Sequence, residues 1–221
     1  MLALLSLELG MELNMKPKAK RQTDPAIANA RRAQILTAAA ECFRRKGYHG
    51  AGMAEISKTA GMSAGHIYNY FESKEAIIES IIEKDMEEMF SIFQKFEDHP
   101  GDVLQALIDG LNIGVQRHMD TGACVVDLDM MAEAGRNAKV ASLLRDMDIQ
   151  ARTRMRQLLT SERSTLKNIE EQELESRINV IFSMMAGLLL RKVLYPELTE
   201  ETVLIALRPA MKTLLMPFDE A

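Results

Sequence analysis

The residues best suited to chemistry fall in two short stretches. In "AGMSAGHIYNYFESKEAII", from Ala60 to Ile78, two glycines, a serine, a histidine, an asparagine and two tyrosines crowd together ahead of an apolar helix. Such side chains can donate to or accept from base edges and phosphate oxygens, and the small residues among them permit close approach to a duplex. In "CVVDLDMMAEAGR", from Cys124 to Arg136, Asp127, Asp129 and Glu133 lie among apolar residues. A carboxylate facing an apolar cavity suits a cationic, lipophilic ligand, with methionines adapting to its shape. Asp129 and Glu133 are four residues apart and share a helix face, whereas Asp127 points elsewhere, so the ligand site is expected at Asp129, Met130 and Glu133. The alternative is that these acids are solvated or paired with Arg136, Arg145 or Arg152.

Other chemistries find little support. His118, Cys124, Asp127 and Asp129 could be gathered as metal ligands, but their spacing matches no standard ligand pattern. Cys124 could serve as a redox-sensing thiol, while Cys42 sits on the apolar face of the first helix as core. No Ser-His-Asp or Cys-His arrangement appears, and four scattered histidines offer no obvious base. Neither metal, cofactor nor enzymatic activity is expected; a small helical enzyme remains the alternative from another class.

The elements that must carry these stretches are helices. "AIANARRAQILTAAAECFRRKGY" places Ile35, Ala39, Cys42 and Phe43 on one side and ends at Gly47. "MAEISKTA" closes at Gly61, where a left-handed turn suits glycine. Ser63 is placed to cap "SAGHIYNYF". A long amphipathic helix then carries Ile78, Ile82, Met86, Met89, Phe93 and Phe96 along one side, stopping near His99-Pro100-Gly101. "VLQALIDGLNIGVQRHM" reads as one helix mildly interrupted by Gly110 and Gly114. A turn at Thr121-Gly122 precedes "ACVVDLDMMAEAGR", and three more helices follow, the last capped by Thr199. Strand patterns are nearly absent, so the class is all-α.

Charge is distributed unevenly. The 221-residue chain has net charge −5, which argues against a general nucleic-acid coat. From Met15 to Lys74, however, eleven basic residues face four acidic ones, a surplus of seven, so the rest carries twelve negative charges. A basic head on an acidic body suits one end meeting a polyanion. The chain is 47% apolar with 16 methionines and two cysteines, a globular composition free of a disulfide framework. No apolar run reaches a membrane span, and a cytoplasmic protein without membrane contact is expected. "MLALLSLELG" reads as a tail ahead of a start at Met15.

Two short helices joined by "GMS" form a helix-turn-helix pattern. The second is too short to hold itself, so Ile67 and Phe71 must pin it to the rest. Its other face offers Ala64, Gly65, His66, Tyr68, Asn69 and Tyr70. "RRAQILTAAAECFRRKGYHGAGMAEISKTAGMSAGHIYNYFESKEAII" resembles the DNA-binding domain of the TetR family of bacterial regulators over nearly fifty residues. The resemblance implies an N-terminal three-helix DNA-binding domain, a larger helical domain that binds a small ligand, and a homodimer. It places DNA contacts at Ser63, Ala64, Gly65, His66, Tyr68, Asn69, Tyr70 and Lys74, of which Ser63 and Lys74 meet phosphate. The chain departs from many members at Gly52, where they carry a threonine that opens the second helix. Lys16, Lys18, Lys20 and Arg21 resemble an arm laid along DNA.

The expected organisation is a tail over 1–24, a helix-turn-helix domain over 25–73 and a ligand-binding and dimerisation domain over 74–221. Stripes of Leu174, Ile178, Ile181, Met185 and Leu188, and of Val203, Leu207, Met211 and Leu214, suit a four-helix interface between two chains, or packing within one. The function these readings imply is a ligand-responsive repressor that binds a palindromic double-stranded operator as a dimer. A small molecule, an efflux-related lipophilic cation among the candidates, would release it by shifting the helix of residues 74–97. The alternative is a transcriptional activator of the same fold, since the sign of regulation depends on where the operator lies relative to the promoter.

Overall fold

The computed structural model describes residues 24–216, and among them the chain is helical with no strand. Ten helices run in order: α1 (Pro25–Gly50), α2 (Met53–Thr59), α3 (Ala64–Tyr68), α4 (Lys74–Glu97), α5 (Val103–Asp109), α6 (Leu111–Met119), α7 (Thr121–Ala134), α8 (Ala138–Leu159), α9 (Glu171–Leu194) and α10 (Glu200–Leu215). The N-terminal tail, the expected start at Met15 and the arm residues Lys16, Lys18, Lys20 and Arg21 lie outside the described residues. No described helix is long and apolar enough to cross a membrane.

Local signals start most of these helices. Asp24, Ser63, Ser73, Asp102, Asp120, Asn137, Glu170 and Thr199 each accept a first-turn backbone amide with the side chain, satisfying donors that the helix itself cannot. At Gly47 the backbone turns to φ +73°, a left-handed conformation that kinks the end of α1.

Apolar burial forms two cores. The first gathers Ile35, Ala39, Cys42 and Phe43 of α1, Ile56 of α2, Ile67 of α3, Phe71, and Ile77, Ile78, Ile81 and Ile82 of α4, and is closed by Val126 and Met130 of α7 and Val140 of α8. The head is therefore sealed by helices of the body. The second core unites Phe93, Leu107, Leu111, Val115, Met155, Leu159, Leu174, Ile178, Ile181, Leu207 and Met211.

Two readings of the sequence change here. The stretch from Val103 to Met119 is two helices broken at Gly110, a position that admits no larger residue because the Phe96 ring lies 2.3 Å from where a β-carbon would stand. The stripes assigned to a two-chain interface instead pack inside this chain, with Leu174, Ile178, Ile181, Leu207 and Met211 all buried in its second core. Apolar periodicity identifies a covered face but not what covers it. What α9 and α10 leave uncovered is a different face, bearing Val180, Leu190, Leu194 and Ile205.

Candidate nucleic-acid interface and ligand cavity

The α3 segment has only five residues, so tertiary contacts must hold it. Ile67 at its centre is fully buried and Phe71 just beyond is nearly so. Gly61, at φ +65°, makes the turn from α2, and nothing lies within 4 Å of where its β-carbon would be. The Ser63 hydroxyl accepts the His66 amide at 3.2 Å, so its capping role is direct. Ser57 donates to the Met62 carbonyl at 2.8 Å and Gln34 to the Ala60 carbonyl at 2.7 Å, which fixes the turn from behind. Arg32 donates to the Tyr70 carbonyl at 2.9 Å and lies 4.4 Å over the Phe71 ring, closing the far end.

The outward side then carries what remains. Ser63, Ala64, Gly65, His66, Tyr68 and Asn69 are exposed, Tyr68 by 52%, and Tyr70 is half-buried with its ring edge-on to His66 at 5.3 Å. Seven expected contact residues thus share one contiguous surface. The eighth, Lys74, is engaged: its ammonium donates to the carbonyls of Tyr48 at 2.7 Å and Ala51 at 3.2 Å and lies over the Tyr48 ring. In this arrangement it terminates α1. Two other head cations are paired at the surface, with Arg45 and Lys46 both on Glu55. Gly52 caps α2 with no side-chain bond, so no hydroxyl stands beside that helix's N-terminal amides.

The hinge between head and body has a defined chemistry. Beyond the Gly47 kink, the Tyr48 amide donates to Asp129 Oδ2 at 3.0 Å, and Glu133 Oε2 lies 2.8 Å from His49 Nε2. The Tyr48 hydroxyl donates to Glu75 at 3.2 Å. Burial, then the Glu75 charge, raises the tyrosine pKa; Glu75 is held below its ordinary value, first by its own backbone amide at the start of α4.

Inside the body is a cavity of about 410 Å³ enclosed by α4 to α10, within the range of small-molecule sites. Its wall is largely apolar, rich in methionine from Met89, Met130, Met131, Met147, Met155, Met185 and Met211. Its polar side chains are Asp85, Arg117, His118, Asp127 and Asp148. Asp127 is pushed up to about 6, chiefly by burial and then by the charge of Asp85, with Arg117 opposing; Asp85 is raised by burial too. The His118 Nδ1–H donates to the Gly114 carbonyl, 2.8 Å away, and burial lowers its pKa.

The expected ligand residues therefore divide. Met130 lines the cavity; Asp129 and Glu133 do not, being turned to α1, whereas Asp127 is the carboxylate that α7 presents to the cavity. Asp129 and Glu133 do share a face, and the kinked end of α1 covers that side of α7. Asp85, Arg117 and Asp148 were missed, and a lone acid on the apolar side of α4 was the available signal for the first. Among the described residues no group of three or more His, Cys, Asp or Glu side chains could hold a metal. Burial raises the Cys124 pKa, and its thiol donates to the His118 carbonyl at 3.3 Å, which opposes a reactive thiolate.

The profile of bacterial regulatory proteins of the tetR family matches residues 35–81. The HTH-type transcriptional regulator UidR of Escherichia coli K12 is 35% identical over 121 residues, 54% of this chain and 59% of that protein. The chain thus spans less than two thirds of the curated relatives it matches first. Among solved structures, Salmonella enterica GusR superposes with TM-score 0.69 at 24% identity, covering 88% of this chain and 98% of that one. FadR of Bacillus subtilis, solved in complex with stearoyl-CoA, superposes with TM-score 0.67 at 20% identity, over 85% and 99%. At these identities the superpositions speak for the fold.

Proposed function

Because the chain belongs to the tetR family of bacterial regulatory proteins, we propose that it is a cytoplasmic, non-enzymatic repressor whose heads read a palindromic operator and whose body binds a small effector. The observation that carries the reading is the division of α3, with Ile67 buried and Ser63, Ala64, Gly65, His66, Tyr68 and Asn69 turned outward. A helix entering a major groove needs that division: an apolar underside held by the domain and a small, polar leading face. His66 and Asn69 reach base edges, Tyr68 and Tyr70 reach phosphate oxygens, and Ser63 adds a backbone contact. Lys74 acts first by holding the end of α1 under the recognition segment, and its remaining donor faces phosphate.

The functional division falls between residues 73 and 74. Two copies are required, because one head reads too few base pairs and two-fold symmetry doubles the contacts. The uncovered face of α9 and α10 is where a second copy docks. Val180, Leu190 and Leu194 on α9 and Ile205 on α10 are exposed there, and no atom lies within 4 Å of a β-carbon built on Gly187. Effector in the cavity would favour a state in which the heads no longer match successive grooves. That requires tighter binding to that state than to the DNA-bound one. The complex of FadR with stearoyl-CoA supports a small-molecule effector in this architecture.

Selection from a pool of random DNA duplexes tests the reading. The expected product is a palindrome with half-sites about one helical turn apart, roughly 34–36 Å, bound with an affinity that falls steeply with salt. Recovery of no enriched sequence would overturn it.

A further inference from the structure

The cavity's charges are unequal in a way that constrains what enters it. Three carboxylates, Asp85, Asp127 and Asp148, and one guanidinium, Arg117, line it. Arg117 is itself shared: it lies 3.6 Å from Glu88 and its charge also acts on Asp85 and Asp127. His118 supplies no cation, since burial favours its neutral form. Neither Asp85 nor Asp127 has a hydrogen-bond or ion-pair partner among the described residues, although both face a wall that is mostly hydrocarbon. Carboxylates in such a place are costly unless something pairs with them. The raised pKa of Asp127 is the same deficit seen through protonation.

We propose that the cavity accepts an amphipathic monocation, with an ammonium-type head between Asp127 on α7 and Asp85 on α4 and an apolar tail along Phe93, Phe96 and the methionines. The inference rests on the cavity being the effector site and names the chemistry of its occupant. A cation restores balance at the polar end; a carboxylate or phosphate head would add charge beside two acids that share one guanidinium, itself also paired with Glu88. Aliphatic and thioether side chains give the tail a deformable wall, so head charge would discriminate more sharply than tail shape.

Calorimetry of the full chain at pH 7.5 with chain-length-matched probes below micelle formation tests this: dodecyltrimethylammonium, dodecanol and dodecanoate. The expected result is binding of the cation at least about tenfold tighter than either other probe. Asp127→Asn and Asp85→Asn should each reduce the cation's affinity about tenfold and leave dodecanol within about twofold. Both are neutral, near-isosteric changes that relieve a buried charge, and circular dichroism would verify folding. Dodecanoate or dodecanol binding as tightly as the cation, cation affinity indifferent to both substitutions, or no binding by any probe would overturn the proposal. A parallel gel shift with the selected operator separates the two readings. Aspartate-dependent cation binding without DNA release would uphold the ligand class and count against the effector role. DNA release by dodecanoate alone would do the reverse.

Discussion

Tyr68 and Lys74 lie six residues apart, both assigned to DNA by their sequence, yet they stand in unlike surroundings. Tyr68 is half exposed and its side chain has no hydrogen-bond partner in the described structure, so Tyr68→Ala is expected to leave the melting temperature within about 2 °C. It should weaken operator binding by about 1–3 kcal/mol in gel shifts. Lys74→Ala also frees the carbonyls of Tyr48 and Ala51, so it should lower both melting temperature and DNA affinity. A second residue-scale expectation concerns Asp127. Its folded pKa, about 6, lies above the ordinary 3.8. An acid raised on folding favours the native state below the unfolded pKa and loses that contribution as pH rises through the folded one. The resulting penalty at neutral pH is on the order of 2 kcal/mol. Asp127→Asn should therefore melt ~5 °C above wild type at pH 8, with the gap closing near pH 4. A gap constant with pH would refute the assignment.

At the scale of elements, α7 joins cavity and head. One side presents Asp127, Met130 and Met131 to the cavity; the other holds Tyr48 and His49 through Asp129 and Glu133. The long α4 also touches both, so a molecule bound in the cavity would have two routes to the head. If α7 carries coupling, Asp129→Asn should leave effector affinity within about twofold while raising the concentration that releases DNA at least about fivefold, the low end of ordinary coupling energies. Calorimetry and gel shift on one preparation distinguish these. Equal shifts in both would assign Asp129 to binding rather than transmission. The sequence showed that Asp129 and Glu133 share a face, but helical spacing carries no information about which neighbour arrives from eighty residues away.

For the whole molecule, the uncovered α9 and α10 face is an apolar feature, among the described residues, that neither core absorbs. Ile205 is 74% exposed and Leu194 60%. Exposed apolar stripes of this kind mark association surfaces. The double variant Leu194→Glu, Ile205→Glu should sediment as a monomer, keep its helical content, and bind a palindromic operator at least ~100-fold more weakly, since one head supplies half the contacts. A dimer surviving both charges would place the interface elsewhere.

Local properties were legible without a fold. Helix class, caps at Ser63 and Thr199, the turn at Gly61 and the outward polar side of α3 follow from backbone sterics, hydrogen-bonding side chains and periodicity, all of which act within a few residues. Only the tertiary structure decided which carboxylate of α7 meets the cavity, why residue 110 has no room for a side chain and which face of α9 stays uncovered. Each depends on a neighbour brought from far along the chain: the kinked end of α1, the ring of Phe96, the packing of α6 and α10. Non-local contact of that kind leaves no spacing to read.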